Sequence, residues 1–318
     1  MTGPATGPMA GRVCLVTGAG GDMGRVIVTE LARRGATVVL VCRSMQAARA
    51  LRDQVSAATG NADVHPLAAD LSDQRAIREL AAAFREQHEH LHVLVNNAGA
   101  HFHQRRLSTD GIELHLAVNH LSWFLLTNLL LDRLIAGAPA RVVNVASDAI
   151  TDTRTYRIGP RRTATIDLDD LQSERAYRPM QAYGNAKLAM VMCGYALARR
   201  LNGTGVTVNA LHPGIVATAI IADSVPRMLK PVAALARPFM LTPAQGARTA
   251  VHLATSPDLA QVSGAFFADQ RPRRTPEPSY DIAVQERLWQ ASAVLTGLAD
   301  QDHADPHAIS GGSNGRNR

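Results

Sequence analysis

Tyr183 and Lys187, which lie four residues apart in the stretch QAYGNAKLAM, are the pair in this sequence best suited to proton transfer. On a helix, positions i and i+4 share one face, so the two side chains can meet. An ammonium group beside a phenol favours the phenolate and lowers the pKa of tyrosine from about 10. The pair predicts a tyrosine that works as a general acid or base. The spacing alone favours a surface tyrosine beside a solvated lysine, so the rest of the chain has to decide.

A glycine-rich turn, TGAGGDMGR at 17–25, predicts a binding site for a nucleotide diphosphate. It follows a short apolar run and opens a segment with apolar residues at helical spacing. Glycines let the backbone turn tightly and approach a diphosphate, and a helix N-terminus supplies free N–H groups and a positive dipole. The position of the turn between a strand and a helix makes a nucleotide the favoured ligand.

The residues that follow the second apolar run indicate which dinucleotide binds. No Asp or Glu occurs between Leu31 and Arg52, where a fold that binds NAD commonly presents an acid to the ribose 2′-hydroxyl. Cys42 is followed instead by Arg43, whose guanidinium can pair with a 2′-phosphate. The sequence therefore predicts NADP(H) as the cofactor, while a solvated loop residue is the alternative interpretation of Arg43.

Short apolar runs alternate with amphipathic segments along most of the chain. The runs predict strands at 12–18, 37–42, 63–70, 91–99, 140–147 and 205–214, and helices are expected at 23–35, 45–60, 73–89, 112–136 and 181–201. This alternation is typical of an α/β fold: a single Rossmann-type, doubly wound parallel sheet of about seven strands, flanked by helices on both faces. Such sheets bind ligands beyond the carboxyl ends of their strands, and the glycine and polar clusters fall there.

One large domain is expected from the length of 318 residues and the hydrophobic content of 46%. Residues 12–298 form the predicted dinucleotide-binding oxidoreductase domain. A Gly/Pro-rich flexible arm at 1–11 precedes it, and a polar tail at 299–318 that is expected to be disordered follows it. Irregular stretches at 148–180 and 219–242 interrupt the alternation of strands and helices.

Composition argues against several other classes of protein. The net charge of +6 comes with only 4% aromatic residues and no aromatic interleaving of the basic clusters, so nucleic acid is not an expected partner. The longest apolar stretch, 121–135, is short and interrupted by Asn128 and Asp132, which favours a buried helix over a membrane span.

Three cysteines at unrelated spacings indicate neither a disulfide framework nor a zinc site, and a cytoplasmic location fits them. The histidines of HEHLH and HFH match no zinc pattern, so we expect surface residues and no metal site.

The ordered set of motifs resembles the short-chain dehydrogenase/reductase family over residues 12 to about 270. The residues that carry the resemblance are Thr17-Gly18…Gly24, Arg43, Asp70-Leu71, Asn96-Asn97-Ala98-Gly99, Asn119, Ser147, Tyr183-x-x-x-Lys187 and Pro213-Gly214…Thr218. Within the family, the stretches GIELHLAVNHLSWFLLTNLLLDRL and YGNAKLAMVMCGYALARRL are most similar to the retinol-dehydrogenase-like and WW-domain-oxidoreductase-like branch.

The resemblance implies a catalytic tetrad and a nicotinamide cofactor. Tyr183 is expected to exchange a proton with the substrate, and Lys187 to lower the pKa of Tyr183 and hold the nicotinamide ribose. Ser147 would bond the substrate oxygen, and Asn119 would position the lysine and a relay water. The implied cofactor-binding residues are Gly18, Gly20, Asp22, Met23, Gly24, Arg43, Asp70, Leu71, Asn97, Ala98, Gly99, Pro213, Gly214, Val216 and Thr218.

Two departures from the family pattern bear on function. The family's turn reads T-G-x-x-x-G-x-G, so Asp22 stands where the middle glycine is expected. An acid at a helix N-terminus stabilises the helix by roughly 0.3–1 kcal/mol, yet its charge repels a diphosphate, so cofactor binding could be weakened. The interval between Ser147 and Tyr183 is long, and we expect it to fold over the mouth of the site and shape the substrate pocket.

The segment after Thr218, at about 219–242, occupies the place of the family's mobile substrate lid. Its apolar residues favour a lipophilic ketone, aldehyde or alcohol as the substrate, although a lid that only packs on the domain would look the same. The leading function is an NADP(H)-dependent oxidoreductase. A non-redox enzyme of the same fold and a nucleotide-sensing scaffold are the alternatives. By family analogy, a homodimer or homotetramer that pairs through the helices at 112–136 and 181–201 is also possible.

Overall fold

An eight-stranded sheet runs through the part of the chain that the computed structural model describes, which is residues 7–154, 162–217 and 240–299. The strands are β1 (Val13–Thr17), β2 (Thr37–Cys42), β3 (Val64–Ala68), β4 (Val93–Asn96), β5 (Ala140–Val145), β6 (Val206–His212), β7 (Phe266–Ala268) and β8 (Arg271–Arg273). They lie in the order β3-β2-β1-β4-β5-β6-β7-β8, and every neighbouring pair except β7 and β8 is parallel. This order confirms the predicted doubly wound sheet.

The eighth strand is the difference from the prediction of about seven. β7 and β8 form an antiparallel hairpin whose two turn residues, Asp269 and Gln270, both have positive φ, at 51° and 60°. A two-residue turn of this kind is usually signalled by Asn-Gly or Asp-Gly. The sequence has no glycine at this turn. The three residues of β8 are Arg, Pro and Arg, which lack the apolar alternation of a strand, so neither the strand nor the turn was indicated.

Helices cover both faces of the sheet, as the alternating pattern predicts. They are α1 (Asp22–Arg33), α2 (Met45–Thr59), α3 (Gln74–Gln87), α4 (Leu114–Leu116), a π-helical turn (Ala117–Leu121), α5 (Ser122–Leu129), α6 (Leu131–Ala136), α7 (Pro179–Arg200), α8 (Pro243–Thr255) and α9 (Ile282–Leu295). One apolar core lies between the sheet and α1, α2 and α8, and the other between the sheet and α3, α5, α7 and α9. None of the helices in the described ranges is long and apolar enough to span a bilayer.

The helix predicted at 112–136 is interrupted twice. It begins as a single turn, passes through the π-helical turn Ala117–Leu121, and breaks at Leu130, whose φ and ψ are −108° and 11°. A π-helical turn inserts one extra residue per turn and is often found at functional sites. Apolar periodicity does not reveal such an insertion, because each flanking piece keeps its own helical spacing.

Part of the predicted flexible arm is docked on the domain. Within the described portion, residues 7–11, the Met9 N–H donates to the Arg34 carbonyl at 3.0 Å and the Met9 side chain is buried. The Gly/Pro-rich composition concealed this single apolar anchor. Thr218, all but the last three residues of the lid predicted at 219–242, and 300–318 of the predicted tail lie outside the described residues.

The C-terminal helix α9 covers the outer face of α5 and α7. The Trp289 ring lies edge-on to the Phe124 ring, with 4.7 Å between centroids, and the Arg200 guanidinium lies 4.3 Å above the Trp289 ring. Every residue at 186–197 of α7 and at 122–127 of α5 is buried within one chain, by the sheet and the neighbouring helices together with α9. At these segments the pairing surface suggested by family analogy is therefore not exposed in the single chain.

Candidate active site

The predicted tetrad converges at the carboxyl ends of β4 and β5. Tyr183 and Lys187 lie one turn apart on α7, which begins at Pro179, where the fixed φ of proline suits a first helical turn. Ser147 follows β5 directly, and Asn119 lies in the π-helical turn. The structure thus brings together four residues that are spread over nearly seventy positions of the sequence.

Ser147 holds the Tyr183 hydroxyl and caps a turn at the same time. The Ser147 Oγ accepts a hydrogen bond from the Ala149 N–H at 3.2 Å and thereby caps the short 3₁₀ turn Asp148–Ile150. Its side chain is also hydrogen-bonded to Tyr183, in the direction that favours the phenolate. Because the backbone bond uses a lone pair, the serine hydrogen remains able to point at the phenolic oxygen. The strand-end cap and the catalytic role are therefore compatible.

Burial dominates the acidity of Tyr183. Removal of the phenol from water raises the pKa of Tyr183 above its usual value, and the hydrogen bond from Ser147 opposes this rise only in part. The predicted lowering by Lys187 is therefore wrong for the protein as described. Desolvation penalises the phenolate more than its neighbours stabilise it, so Tyr183 stays a neutral phenol across the neutral pH range.

Lys187 is a buried amine, with only 2% of the residue exposed. Its Nζ donates to the Val145 carbonyl at 2.8 Å, and burial lowers the pKa of Lys187 from 10.5 to about 7. Of the 33 basic residues in the chain, 31 are arginine, so lysine is not the residue this chain uses for surface charge. A lysine that is buried and half-titrated near neutral pH is the kind of group found in proton-transfer sites.

Asn119 fixes the loop after β4 beside the lysine. Its amide forms two hydrogen bonds with the Ala100 backbone: Oδ1 accepts from the N–H at 3.0 Å, and Nδ2 donates to the carbonyl at 2.9 Å. A Cβ atom on Gly99 would lie 3.1 Å from Asn119 Oδ1 and 3.3 Å from Lys187 Nζ. The absence of a side chain at Gly99 lets these two polar groups approach the same point of the loop. A proton relay between them requires this approach.

The glycine-rich turn forms a tightly packed cradle in which side chains at two of the glycines would collide with neighbouring backbone. Gly18 has a φ of +63°, and a Cβ atom on it would lie 2.7 Å from the Ala98 Cα. A Cβ atom on Gly24 would collide with the Gly18 carbonyl oxygen. Since the first turn of α1 presents unpaired N–H groups at this point, the turn fits a diphosphate.

Asn97 and Ala98 support this cradle from the neighbouring strand. The Asn97 Nδ2 donates to the carbonyls of Thr17 and Gly18, both at 3.1 Å, and the Ala98 N–H donates to the Thr17 Oγ1 at 3.2 Å. The Asn97 side chain, predicted to line the cofactor cleft, is thus engaged in holding the end of β1. Its contribution is to fix the position of the turn.

Asp22 is the first residue of α1 and is exposed. It follows Gly21, which has no side chain to cap the helix, so the carboxylate lies at the positive end of the helix dipole. Arg25, one turn further, donates from Nε to the Gly20 carbonyl at 3.0 Å and from Nη1 to Gln54 Oε1 at 3.1 Å. Sequence reasoning missed Arg25, although it directly follows Gly24. Its positive charge lies beside the turn and offsets the charge of Asp22.

Arg43 stands next to the glycine-rich turn at the end of β2. A Cβ atom on Gly20 would lie 3.3 Å from the Cys42 Sγ, so the residue that follows Cys42 borders the turn. Arg43 is exposed, and Ser44 caps α2 by accepting from the Ala47 N–H at 3.3 Å. An exposed guanidinium at this position can reach a phosphate on the adenosine ribose.

The remaining predicted cofactor residues line the same edge of the sheet. Asp70 follows β3 and accepts from the Ser72 N–H at 2.9 Å, and Leu71 is half-buried beside it. Gly214 has a φ of +87°, and a side chain there would collide with Leu241. Two further contacts complete this edge: Val216 pairs with Leu241 as an isolated bridge, and both Val216 and Met23 pack against Gly246.

A cluster of buried polar rings beside Tyr183 was not predicted. The His115 Nε2 accepts from the Phe102 N–H at 2.9 Å, and its Nδ1 lies 3.1 Å from the Tyr177 hydroxyl and 3.2 Å from the Glu113 Oε1. Since Nε2 is an acceptor, His115 is the neutral tautomer with its proton on Nδ1. Its ring centroid lies 6.0 Å from that of Tyr183. In the sequence, the one indication of this cluster is that Glu113 and His115 lie two residues apart.

Tyr177 ties the long segment before α7 to the site. Its hydroxyl donates to the Phe102 carbonyl at 3.1 Å, and Arg105 donates to the Gln172 carbonyl at 3.1 Å. Burial and the charge of Glu113 raise the pKa of Tyr177, so it stays a neutral donor. The described end of the segment predicted at 148–180 therefore lies beside the catalytic tyrosine.

The fold and the site together define a dinucleotide-dependent oxidoreductase, and comparison with known proteins agrees. The short chain dehydrogenase family matches residues 12–156, and the enoyl-(acyl carrier protein) reductase family matches residues 154–268. The chain is 40% identical to retinol dehydrogenase 12 of Mus musculus over 91% of its own length and 87% of the relative's. It is 38% identical to human retinol dehydrogenase 13, over 93% and 87%.

Two solved structures are similar in fold. An uncharacterised protein of Mycobacterium Paratuberculosis has a TM-score of 0.72 at 28% identity and covers 93% of this chain and 97% of its own. The complex of Pseudomonas aeruginosa RhlG with NADP has a TM-score of 0.62 at 28% identity, over 83% and 96%.

This protein belongs to the short-chain dehydrogenase/reductase family, in its retinol-dehydrogenase-like branch. It is accordingly an oxidoreductase that acts on an alcohol or carbonyl group with a nicotinamide cofactor.

Proposed function

We propose that this protein is an NADP(H)-dependent oxidoreductase that interconverts a lipophilic ketone or aldehyde and its alcohol. The observation that carries the proposal is the Tyr183 phenol, hydrogen-bonded to Ser147 and one helical turn from the buried amine of Lys187. A sensor of nucleotides has no need of a proton donor held in this way. A dinucleotide in the cradle of Gly18 and Gly24 would extend toward these groups along the carboxyl edge of the sheet.

The chain's own residues supply the proton chemistry. When bound, the nicotinamide donates or accepts the hydride. Tyr183 gives its proton to the carbonyl oxygen during reduction, and the Ser147 hydroxyl hydrogen turns from the phenol to this oxygen and holds it next to Tyr183. Lys187 and Asn119 both approach Gly99 at the same point, where they can return a proton toward Tyr183. In the direction of oxidation the same groups remove the proton of the alcohol.

Cofactor choice and substrate polarity rest on separate features. Arg43 and the lack of an acid near it support NADP(H), and the RhlG relative is described as a complex with NADP. The side chains of Ile215 and Leu241 are exposed at 50% and 37% beside Gly214, which supports a lipophilic substrate. Three free, buried cysteines support a cytoplasmic location.

Arg43→Ala tests the preference for the phosphorylated cofactor. We expect kcat/KM for NADPH to fall by about 10- to 100-fold, because a charge-assisted bond contributes about 1.5–3 kcal/mol. The value for NADH should change by less than threefold. The measurement is NADPH and NADH consumption with a panel of lipophilic ketones, with Arg52→Ala as the control, since Arg52 is a half-buried arginine paired with Asp53.

Other outcomes of that assay identify the alternatives. Turnover without consumption of NADPH would identify a non-redox enzyme, and binding of NADPH with no turnover would favour a nucleotide sensor. Equal losses for NADPH and NADH in Arg43→Ala would contradict the assigned role of Arg43.

We also propose that the protein is monomeric at its two long helices, since 186–197 and 122–127 are already buried within one chain and α9 packs on them. Light scattering of the purified chain should give a mass near 34.0 kDa. A dimeric mass, together with cross-links between residues of α7 from two chains, would contradict this. Such a dimer would require α9 to leave the Trp289–Phe124 contact.

A further inference from the structure

His101 lies in the active site and has no role in the proton chemistry. It follows the Gly99-Ala100 backbone that Asn119 holds, and its ring centroid lies 5.8 Å from that of Tyr183 in an edge-on arrangement. The ring is also 5.3 Å from that of His115. His101 therefore packs against the phenol that meets the substrate.

Both ring nitrogens of His101 are buried, and neither has a hydrogen-bond partner within the described ranges. A neutral imidazole carries one N–H donor and one acceptor nitrogen, and leaving both unpaired away from water is unfavourable. Nearly all buried polar groups of native proteins are paired, so an orphan in a binding cleft indicates a missing ligand group. Both ring nitrogens of His115, by contrast, are paired: Nε2 with the Phe102 N–H and Nδ1 with the Tyr177 hydroxyl.

The charge state of His101 restricts the chemistry of that ligand group. Burial, together with the neighbouring His115 and His103, lowers the pKa of His101 to about 4, so the ring is neutral at working pH. A neutral ring offers no charge to a carboxylate or phosphate on the substrate, whereas an uncharged oxygen can accept the imidazole N–H.

The ring cluster does not have the geometry of a metal site. Within the described ranges, no three histidine, cysteine or acidic side chains are grouped so that they could hold a metal ion. The His115 Nε2 is occupied by a backbone N–H and the His115 Nδ1 carries its proton. The two free nitrogens of His101 are therefore suited to hydrogen bonding with an organic ligand.

We propose that His101 binds a second, uncharged oxygen of the substrate, placed near the carbonyl that Tyr183 protonates. The substrate class is then a lipophilic carbonyl compound with a neighbouring carbonyl, ester or hydroxyl oxygen, and a plain hydrocarbon ketone is a poorer substrate. This inference rests on the proposed carbonyl reductase function and defines the specificity of the same site.

Matched substrate pairs test the assignment. Octane-4,5-dione and octan-4-one differ only in a carbonyl beside the reacting one, and ethyl 3-oxohexanoate and nonan-4-one differ only in an ester further along a chain of equal length. His101→Met removes both hydrogen-bonding groups, His101→Gln keeps a donor and an acceptor, and His90→Met is the control at the opposite end of β4. The readout is kcat and KM for each ketone with saturating NADPH.

For at least one pair, we expect His101→Met to lower kcat/KM of the oxygenated member by about 10- to 100-fold and that of the plain ketone by less than threefold. His101→Gln should restore most of the loss. Equal losses for both members of both pairs would mean that His101 is only structural and would overturn the proposal. If the wild-type protein consumed NADPH with none of the four ketones, the result would contradict the proposed function as well. Turnover that did not depend on His101 would contradict this inference and leave the proposed function standing.

Discussion

Tyr183→Phe is expected to lower kcat by about 10³-fold, within the range of 10²–10⁴ that a positioned general acid contributes. The phenol is the group that Ser147 holds by a hydrogen bond, and burial raises its pKa, so at neutral pH it is a protonated donor. Phenylalanine keeps the ring and its edge-on contacts with His101 and His115 but removes the proton. Ketone KM and NADPH affinity should change little, because the cradle of the cofactor is formed by other residues.

Tyr195→Phe is the matched control for this variant. Tyr195 lies on the same helix, three turns further along, and its buried hydroxyl is bonded to the Thr275 Oγ1 at 3.0 Å. Loss of that bond should lower the free energy of unfolding by about 1 kcal/mol and leave kcat unchanged. Single-turnover measurements with both variants would decide the issue. Undiminished reduction by Tyr183→Phe would exclude the phenol as the proton donor.

The raised pKa of Tyr183 predicts opposite pH dependences for the two directions of the reaction. A neutral phenol is ready to donate a proton to a carbonyl oxygen, whereas alcohol oxidation needs the phenolate. Reduction should therefore persist through neutral pH and decline as pH rises through the pKa of Tyr183, while oxidation rises over the same interval.

Features carried by local sequence were predicted well. The glycine turn at 17–25, the polar residues at strand ends and the helix of Tyr183 each depend on a few adjacent residues, and the parallel sheet brings their ends together automatically. Family resemblance then supplied Asn119 and Ser147, whose spacing alone indicates no chemistry. In the structure Ser147 is hydrogen-bonded to Tyr183, and Asn119 and Lys187 approach the same point at Gly99, while the roles expected of Asn119 and Ser147 stay predictions.

Features that depend on distant packing were not predictable. The pKa of Tyr183 depends on its burial beneath the segments around His101 and Tyr177. The spacing of residues in a sequence does not reveal such burial. The histidines of HFH have the spacing of surface residues, yet the loop after β4 turns one of them into the cleft. Likewise, nothing in the sequence of α9 indicates that it packs on α7. The apolar pattern of a helix is the same whether its face is buried within the chain or against a partner.

Lys187→Met should abolish most activity and stabilise the protein. We expect kcat/KM to fall by about 10²–10³-fold, since the amine that borders Tyr183 and Gly99 is lost. The buried ammonium is unfavourable in the folded state, and methionine fills a similar volume without a charge. The Val145 carbonyl loses its donor, at a cost of about 1–3 kcal/mol, so the net gain at pH 7 should be roughly 1–3 kcal/mol.

The dependence of stability on pH identifies the cause of this gain. The pKa of Lys187 is about 7 in the folded protein and near 10.5 in the unfolded chain, so the unfolded state binds more protons between these values. The free energy of unfolding contributed by this group therefore rises with pH from about 7 toward 10.5, and the full penalty is present below pH 7. Lys187→Met should lack this rise, and its advantage over wild type should shrink as pH increases.

Urea unfolding of both proteins at a series of pH values between 6 and 9.5 measures the difference directly. Lys187→Arg is the informative companion variant, because it keeps a cation that cannot lose its proton at this position. It should be less stable than wild type and should not regain stability at high pH. Parallel curves for wild type and Lys187→Met would show that the amine is not the buried, half-titrated group described here, and the proton relay through it would have to be abandoned.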